Sequence, residues 1–285
     1  MVKKVQAIPM VERLGLGEDI PCDIDLYEQR RMAGSFLQSP VGTPGGALQY
    51  VTGKPSKAPL PRKLVLEESK IKRLSPQEQD GEAVLKGSKK ATAEPIAGLG
   101  EKDVLPQAYQ LSYRAVKVDY KGPLVVGLSP TAQEIPQSGQ AAMSGPVKIS
   151  FTSTDADGVT STTEATGTFR LLIGYGTGRA AFSASDFTVD SGPDLPFAKL
   201  SWSRLGICAP RIVSSGQGGT SFTSADGGRV ALIDPGTDPA ATMAFESSQF
   251  AASERPGPPG SVGGVFAIQG NAASVMGVFL SKDSP

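Results

Sequence analysis

Histidine is absent from this 285-residue sequence. Its absence excludes, within one chain, a Ser-His-Asp triad, a Cys-His nucleophile pair, a haem on a proximal histidine and any zinc site that needs an imidazole. Cysteine is scarce, with Cys22 and Cys208 far apart in the sequence. That spacing suggests neither a metal knuckle nor a disulfide framework, and each cysteine reads as a buried or incidental thiol. An excess of one charge is lacking too, since 28 Lys and Arg balance 28 Asp and Glu. No bulk field therefore draws the chain to nucleic acid. No window approaches the roughly 18 apolar residues of a membrane span. In the opening MVKKVQAIPMVERLGLGEDIP, residues Gln6, Pro9, Glu12 and Arg13 interrupt what would have to be the apolar stretch of a secretion signal. The expectation is a chain made in the cytoplasm, with no signal peptide and no membrane span.

Aromatic residues are few before position 141. Only six of the eighteen lie there, and Phe36 is the one phenylalanine among them. Core-forming side chains are thus concentrated in the C-terminal half. Residues 1–105 are instead punctuated by prolines at 9, 21, 40, 44, 55, 59, 61, 76 and 95. Few intervals between them could hold an element that buries a core. Three islands stand out. DIDLYEQRRMAGSFL (23–37) suggests a short helix ending near Gly34. RKLVLEESKIKRL (62–74) suits a strand running into a turn, or a short helix. SPQEQ (75–79) has the order of an N-cap, a first helical proline and a capping-box partner. Such a segment is either a disordered tail or an extended arm that gains order on other subunits. The arm is the expectation, with Leu26, Tyr27, Phe36, Tyr50, Leu64 and Leu66 as its anchors.

From residue 107 the pattern changes. QAYQLSYRAVKVDY (107–120) switches apolar parity midway, which suggests a bulge or two differently facing halves. KGP then breaks the run before PLVVGL (123–128), so residues 106–146 read as a β-hairpin followed by a linker. Residues 147–285 read as short strands at about 8–12-residue spacing, separated by DADG, GTG, DSGPD, SADGG and PGTDP turns. The expected fold is mainly β: an antiparallel β-barrel of about eight strands over 147–285, preceded by the short hairpin and the largely irregular arm.

The last two strands carry the most specific pattern. In SVGGVFAIQGNAASVMGVF (261–279), Val262, Gly264 and Phe266 share one parity, and Val275, Gly277 and Phe279 repeat it. A phosphate-cradling loop would need glycines before a helix and a following Lys-Ser/Thr, so this stretch reads as a hairpin closing a barrel. Gly263, Gly264, Phe266, Gly277 and Phe279 here, with ATGTFRLLIGYGTGRAAFSASDFTV upstream, resemble the glycine- and phenylalanine-bearing strands of transferrin-binding-protein-like β-barrel domains. The resemblance covers about residues 147–285. It implies an eight-stranded barrel and, in function, a ligand-binding one.

Candidate chemistry is sparse. FTVDSGP (187–193) has the form of an aspartic-protease turn around Asp190, but Asp-Ser-Gly is also an ordinary turn. TDADG (154–158) and DPGTD (234–238) space oxygen ligands as calcium loops do without completing one. The basic stretches 60–74 and 86–90 interleave glutamates or lack aromatic platforms, and so suit a solvated surface or an acidic protein face rather than nucleic acid. No catalytic, metal or cofactor residue is expected. The leading functional expectation is a non-enzymatic structural protein, a barrel displayed on a larger assembly such as a phage or virion and anchored there among like subunits by its arm. The alternative is a soluble or surface ligand-binding barrel.

Overall fold

The computed structural model describes residues 31–37, 39–40, 47–51, 64–68, 75–79, 82–87, 92–100, 105–115, 118–214, 219–233, 242–251 and 257–281. Among the described residues nine strands precede the barrel: β1 (Arg31–Leu37), β2 (Ser39–Pro40), β3 (Ala47–Val51), β4 (Leu64–Glu68), β5 (Ser75–Gln79), β6 (Glu82–Gly87), β7 (Thr92–Pro95), β8 (Gln107–Ala115) and β9 (Val118–Ser129). The remainder are β10 (Gln140–Thr154), β11 (Thr160–Gly174), β12 (Arg179–Ser191), β13 (Lys199–Cys208), β14 (Arg211–Ser214), β15 (Thr220–Thr223), β16 (Arg229–Val230), β17 (Thr242–Ala251), β18 (Pro259–Gln269) and β19 (Ala273–Leu280).

Eight of these strands form a ring in the order β10, β11, β12, β13, β14, β17, β18, β19, which returns to β10. Every pairing is antiparallel, and β15–β16 lies off the ring on β13. Closure leaves this sheet without the open edge that a flat one presents. Alternation along each strand sends one set of side chains inward, and those residues are large and aromatic. Phe182 sits centrally, with ring centroids 5.9 Å from Phe169, 5.3 Å from Phe245, 5.4 Å from Phe266 and 4.9 Å from Phe279. Trp202 closes on Phe245 at 5.4 Å, while Phe151 and Phe222 gather around Phe197 at 5.8 and 5.0 Å. All of these side chains are buried in one cluster. An eight-stranded barrel is just wide enough for side chains to fill, and here they fill it.

The closing hairpin shows why glycine alternates with phenylalanine. The β18–β19 register sets Gly264 opposite Phe279 and Phe266 opposite Gly277. A Cβ on Gly277 would lie 2.1 Å from Cζ of Phe266, so the phenylalanine ring occupies the space that a side chain there would need. The absent Cβ admits the ring directly over the neighbouring backbone.

A second sheet, in the order β3-β1-β9-β8-β7 with β2 on β9, packs against the outside of the barrel. Between the two lies a smaller core of Leu99, Ala108, Val125, Phe250, Val265, Ala267, Val278 and Leu280. Gly263 permits this approach, because a Cβ there would meet Val125 and Leu280 at 2.7 Å. The hydroxyls of Ser35, Ser129, Ser248 and Ser261 are also buried, without hydrogen-bond partners. A third sheet joins β4 parallel, and β5 antiparallel, to β6.

The eight-stranded barrel and mainly β class agree with the sequence reading, but several local expectations do not survive. Residues 31–37 form strand β1 rather than the end of a helix, because they pair with β9 and β3. SPQEQ is strand β5, paired with β6, despite its helix-start signature. In both places non-local pairing overrides a local preference. The parity switch in 107–120 is a hairpin connection between β8 and β9, not a bulge, and β9 runs straight through Lys121-Gly122-Pro123. The barrel's first strand begins at Gln140, within the stretch read as a linker.

Candidate functional site

Aromatic and aliphatic side chains pack the barrel interior, and the chemistry-bearing groups described below sit at its ends and on its wall. At one end a 3-10 turn, Tyr175–Thr177, carries β11 into β12, with Gly178 in the left-handed region (φ 64°) as its cap. The Tyr175 hydroxyl donates to Oε1 of Gln249 at 2.7 Å, and Gln249 Nε2 donates to the Ala209 carbonyl at 3.4 Å. The Gln249 N–H donates to the Pro210 carbonyl at 2.8 Å. The β11–β12 and β13–β14 connections are thereby tied to strand β17. Burial pushes the Tyr175 phenol up to about 12.

On the wall, β14 and β17 are bridged by an Arg211–Glu246 fork, with Nε to Oε1 at 2.9 Å and Nη2 to Oε2 at 2.8 Å. Burial raises the Glu246 carboxyl above its usual range, although the Arg211 guanidinium pulls it down. The first pair is buried and the second part-buried, and in each the polar groups satisfy one another.

The residues singled out for possible chemistry are turn-formers. Asp190 is exposed and accepts a hydrogen bond from the Thr166 hydroxyl at 2.7 Å, with Gly192 (φ 94°) following in the left-handed region. Asp155 Oδ1 accepts from the N–H groups of Asp157 and Val159, which closes the β10–β11 turn. Asp226 accepts from the Ser224 hydroxyl and the Gly228 N–H, and these bonds hold its carboxyl below the usual range. Among the described residues no group of three or more His, Cys, Asp or Glu is placed to hold a metal. The DPGTD segment at 234–238 lies outside the described residues.

Hollows lined by described residues mark the exterior. A crevice of about 550 Å³ separates β7–β9 from the outer wall at β10, β11 and β19, with Ile96, Met276 and Val278 at its base and Glu94, Lys121, Lys148 and Glu164 at its lips. A second, of about 470 Å³, is lined by Leu172 of β11 together with Ala142 of β10 and Ala181 of β12. Beyond them the β10–β11 hairpin carries a ladder of hydroxyl pairs, Thr152–Thr162, Ser153–Ser161 and Thr154–Thr160, at 3.1–3.3 Å.

Of the proposed arm anchors, Leu26 and Tyr27 lie outside the described residues. Phe36 pairs with Leu48 and Leu124, Tyr50 with Gly34, and Leu64 and Leu66 with Ala83 and Leu85 of β6. The structure thus sets these four in two different sheets, each paired within the chain. Gly263, Gly264, Phe266, Gly277 and Phe279 come together in the closing hairpin. Sequence reasoning missed Cys208. It is wholly buried, in keeping with the reading of a buried or incidental thiol, but disulfide-bonded, which corrects that reading's thiol. Cys22, the chain's other cysteine, lies outside the described residues. Two cysteines at unremarkable spacing carry no pairing signal of their own.

No protein-family model and no curated protein matches the chain. Solved structures do resemble it. A double mutant of the vaccine antigen Transferrin Binding Protein B (TbpB) from Haemophilus parasuis Hp5 is 10% identical, with 88% of this chain and 44% of that chain covered at a TM-score of 0.45. A single mutant of the same antigen is 12% identical, with 89% and 46% covered at 0.39. Intact Ap-TbpB, with its N and C lobes, is 12% identical, with 88% and 46% covered at 0.44. The chain therefore spans less than half the length of these structures. They bear the family name of the resemblance read from the final hairpin. Nothing in these findings points to a phage or virion component. No helix among the described residues is long and apolar enough to cross a membrane.

Proposed function

We propose that this chain is a non-enzymatic ligand-binding β-barrel that recognises a protein partner on its outer surface. The observation that carries the reading is the aromatic filling of the barrel, in which Phe169, Phe182, Trp202, Phe266 and Phe279 are each at most 2% exposed. A barrel that carries a small molecule keeps room for it inside. This one spends its interior on packing, which leaves the wall, the hairpins and the seam with the second sheet for recognition. The buried disulfide at Cys208 supports folding in an oxidising compartment, and so favours a surface or exported protein over a particle assembled in the cytoplasm.

The test is a titration of the full chain with the apolar fluorophore 1-aminoanthracene, alongside surface plasmon resonance with immobilised chain. The expected result is no saturable uptake of the fluorophore. Transferrin, after which the similar proteins are named, is the first protein analyte to apply. Stoichiometric binding of the fluorophore, shielded from an aqueous quencher, would show an interior site and overturn the reading.

A further inference from the structure

The four serine hydroxyls buried without partners, those of Ser35, Ser129, Ser248 and Ser261, all lie in one place. Ser35 stands opposite Val125 across β1 and β9, and Ser129 is four residues further along β9, so both share the face of Val125. That face meets the barrel wall, where Val125 occupies the space beside Gly263. Ser248 stands opposite Gly263, and Ser261 is two residues before it on β18. The hydroxyls therefore sit in the seam between the second sheet and the barrel. Each has lost its water there and gained no bond in return, and parting the seam restores its hydration. The seam's apolar cluster is small, with Ala108 and Ala267 among its members. The barrel does not need the second sheet for closure, since its ring is complete and its interior cluster is distinct from that of the seam.

The seam is also tight at one end and open at the other. Past Ser129, residues 130–139 form the one peptide connection between the second sheet and the barrel. Towards the start of β9 the seam widens into the crevice of about 550 Å³, where Ile96, Met276 and Val278 continue its apolar cluster. Pro123, on the crevice, is about 20 Å from Ser129 along an extended strand. Gap and connection thus lie at opposite ends of β9.

We propose that the second sheet is a hinged flap, which swings off the barrel wall about residues 130–139 while both sheets stay intact. This inference does not depend on the recognition reading above. Opening uncovers Val265, Val278 and Leu280 of the wall, so a partner meets a different outer surface in each state.

Thiol labelling of the full chain with 5,5′-dithiobis(2-nitrobenzoic acid) tests the proposal. Cys208 is disulfide-bonded and the chain has one other cysteine, so an introduced thiol is the reporter; non-reducing mass spectrometry verifies that it alone reacts. Ala108→Cys places the thiol in the seam, and Ala184→Cys places one inside the barrel. The seam thiol is expected to react at least about a hundredfold faster, with a weaker dependence on guanidinium, as befits opening short of unfolding. Adding Ser35→Ala and Ser248→Ala slows its labelling about tenfold, because the closed state then buries two fewer unsatisfied hydroxyls. If Ala108→Cys does not fold, Ala267→Cys supplies the seam thiol from the barrel side. Equal rates and equal guanidinium dependence at the two sites mean that the seam parts only in global unfolding, and overturn the proposal. Fast labelling that ignores the serine changes overturns it too, since the opening is then not that of this seam.

Discussion

Replacement of Tyr175 by phenylalanine tests the internal logic of the barrel end. The wild-type phenol titrates near 12 in the fold, against 10.0 for an unburied tyrosine, because burial penalises the phenolate. A folded-state value above the unfolded one means that the native state holds its proton more tightly. The stabilisation is therefore fully present below pH 10 and is lost as pH rises towards about 12. That separation corresponds to at most about 3 kcal/mol, and water reaching the barrel end screens part of it, so roughly 1–3 kcal/mol is expected to disappear across the window. At neutral pH, Tyr175→Phe removes the donor to Gln249 Oε1, which leaves a buried carbonyl unmatched at a cost of about 1–3 kcal/mol. The assay is guanidinium denaturation of both proteins at pH 8, 10, 11 and 12, paired with phenolate absorbance. The other five tyrosines of the sequence titrate in both proteins and cancel in the difference. The variant is expected to be less stable at pH 8 and to close the gap by pH 12. Parallel decline of the two between pH 10 and 12 would refute the assignment.

Three further outcomes follow from the geometry. Gly277→Ala sets a methyl group within 2.1 Å of the Phe266 ring, so it costs at least about 1–3 kcal/mol in a denaturant titration. Combined with Phe266→Leu it costs less than the two single changes together, and strict additivity would show that the two sites do not touch. Ser248→Ala removes a buried hydroxyl with no partner and raises stability by about 1 kcal/mol; a loss of stability would reveal that the hydroxyl is satisfied. Alkylation of the denatured, unreduced chain is expected to leave its mass unchanged, since Cys208 is disulfide-bonded and the chain has one other cysteine. Prior reduction adds an adduct at each of the two cysteines, and an adduct without reductant counts against the disulfide.

Much of the barrel was legible because its strands pair with their chain neighbours. ATGTFRLLIGYGTGRAAFSASDFTV reads as strand, turn and strand, and β11 and β12 pair across that very turn. The Gly264–Phe279 and Phe266–Gly277 register is visible as shared parity in SVGGVFAIQGNAASVMGVF. The second sheet was not legible for the converse reason. β1 finds its partner, β9, some ninety residues later, matching Phe36 with Leu124 and Ala33 with Gly127. Nothing in a charged, proline-flanked heptapeptide announces such a partner, and local cues in 23–37 and in SPQEQ pointed to helix instead. Strand preference is largely a property of the neighbours that a strand acquires, so it cannot be read before they are known.

The candidate surface was hidden by a different principle. Ala142, Leu172 and Ala181 become one row only through two registers that the folded sheet sets, and Arg170 and Arg179 flank that row from different strands. In the sequence, Leu172 is one member of the run FRLLI, and alternation alone makes it the outward member between Leu171 and Ile173, which are buried. The parity of a barrel strand thus identifies the residue that the core rejects. Ala142 stands beside it on the same exposed face. Replacing Ala142 with Glu should therefore leave the thermal melt unchanged, within the roughly 0.5 kcal/mol typical of surface substitutions. A loss of stability would mean that the small side chain in that row serves the packing of the fold.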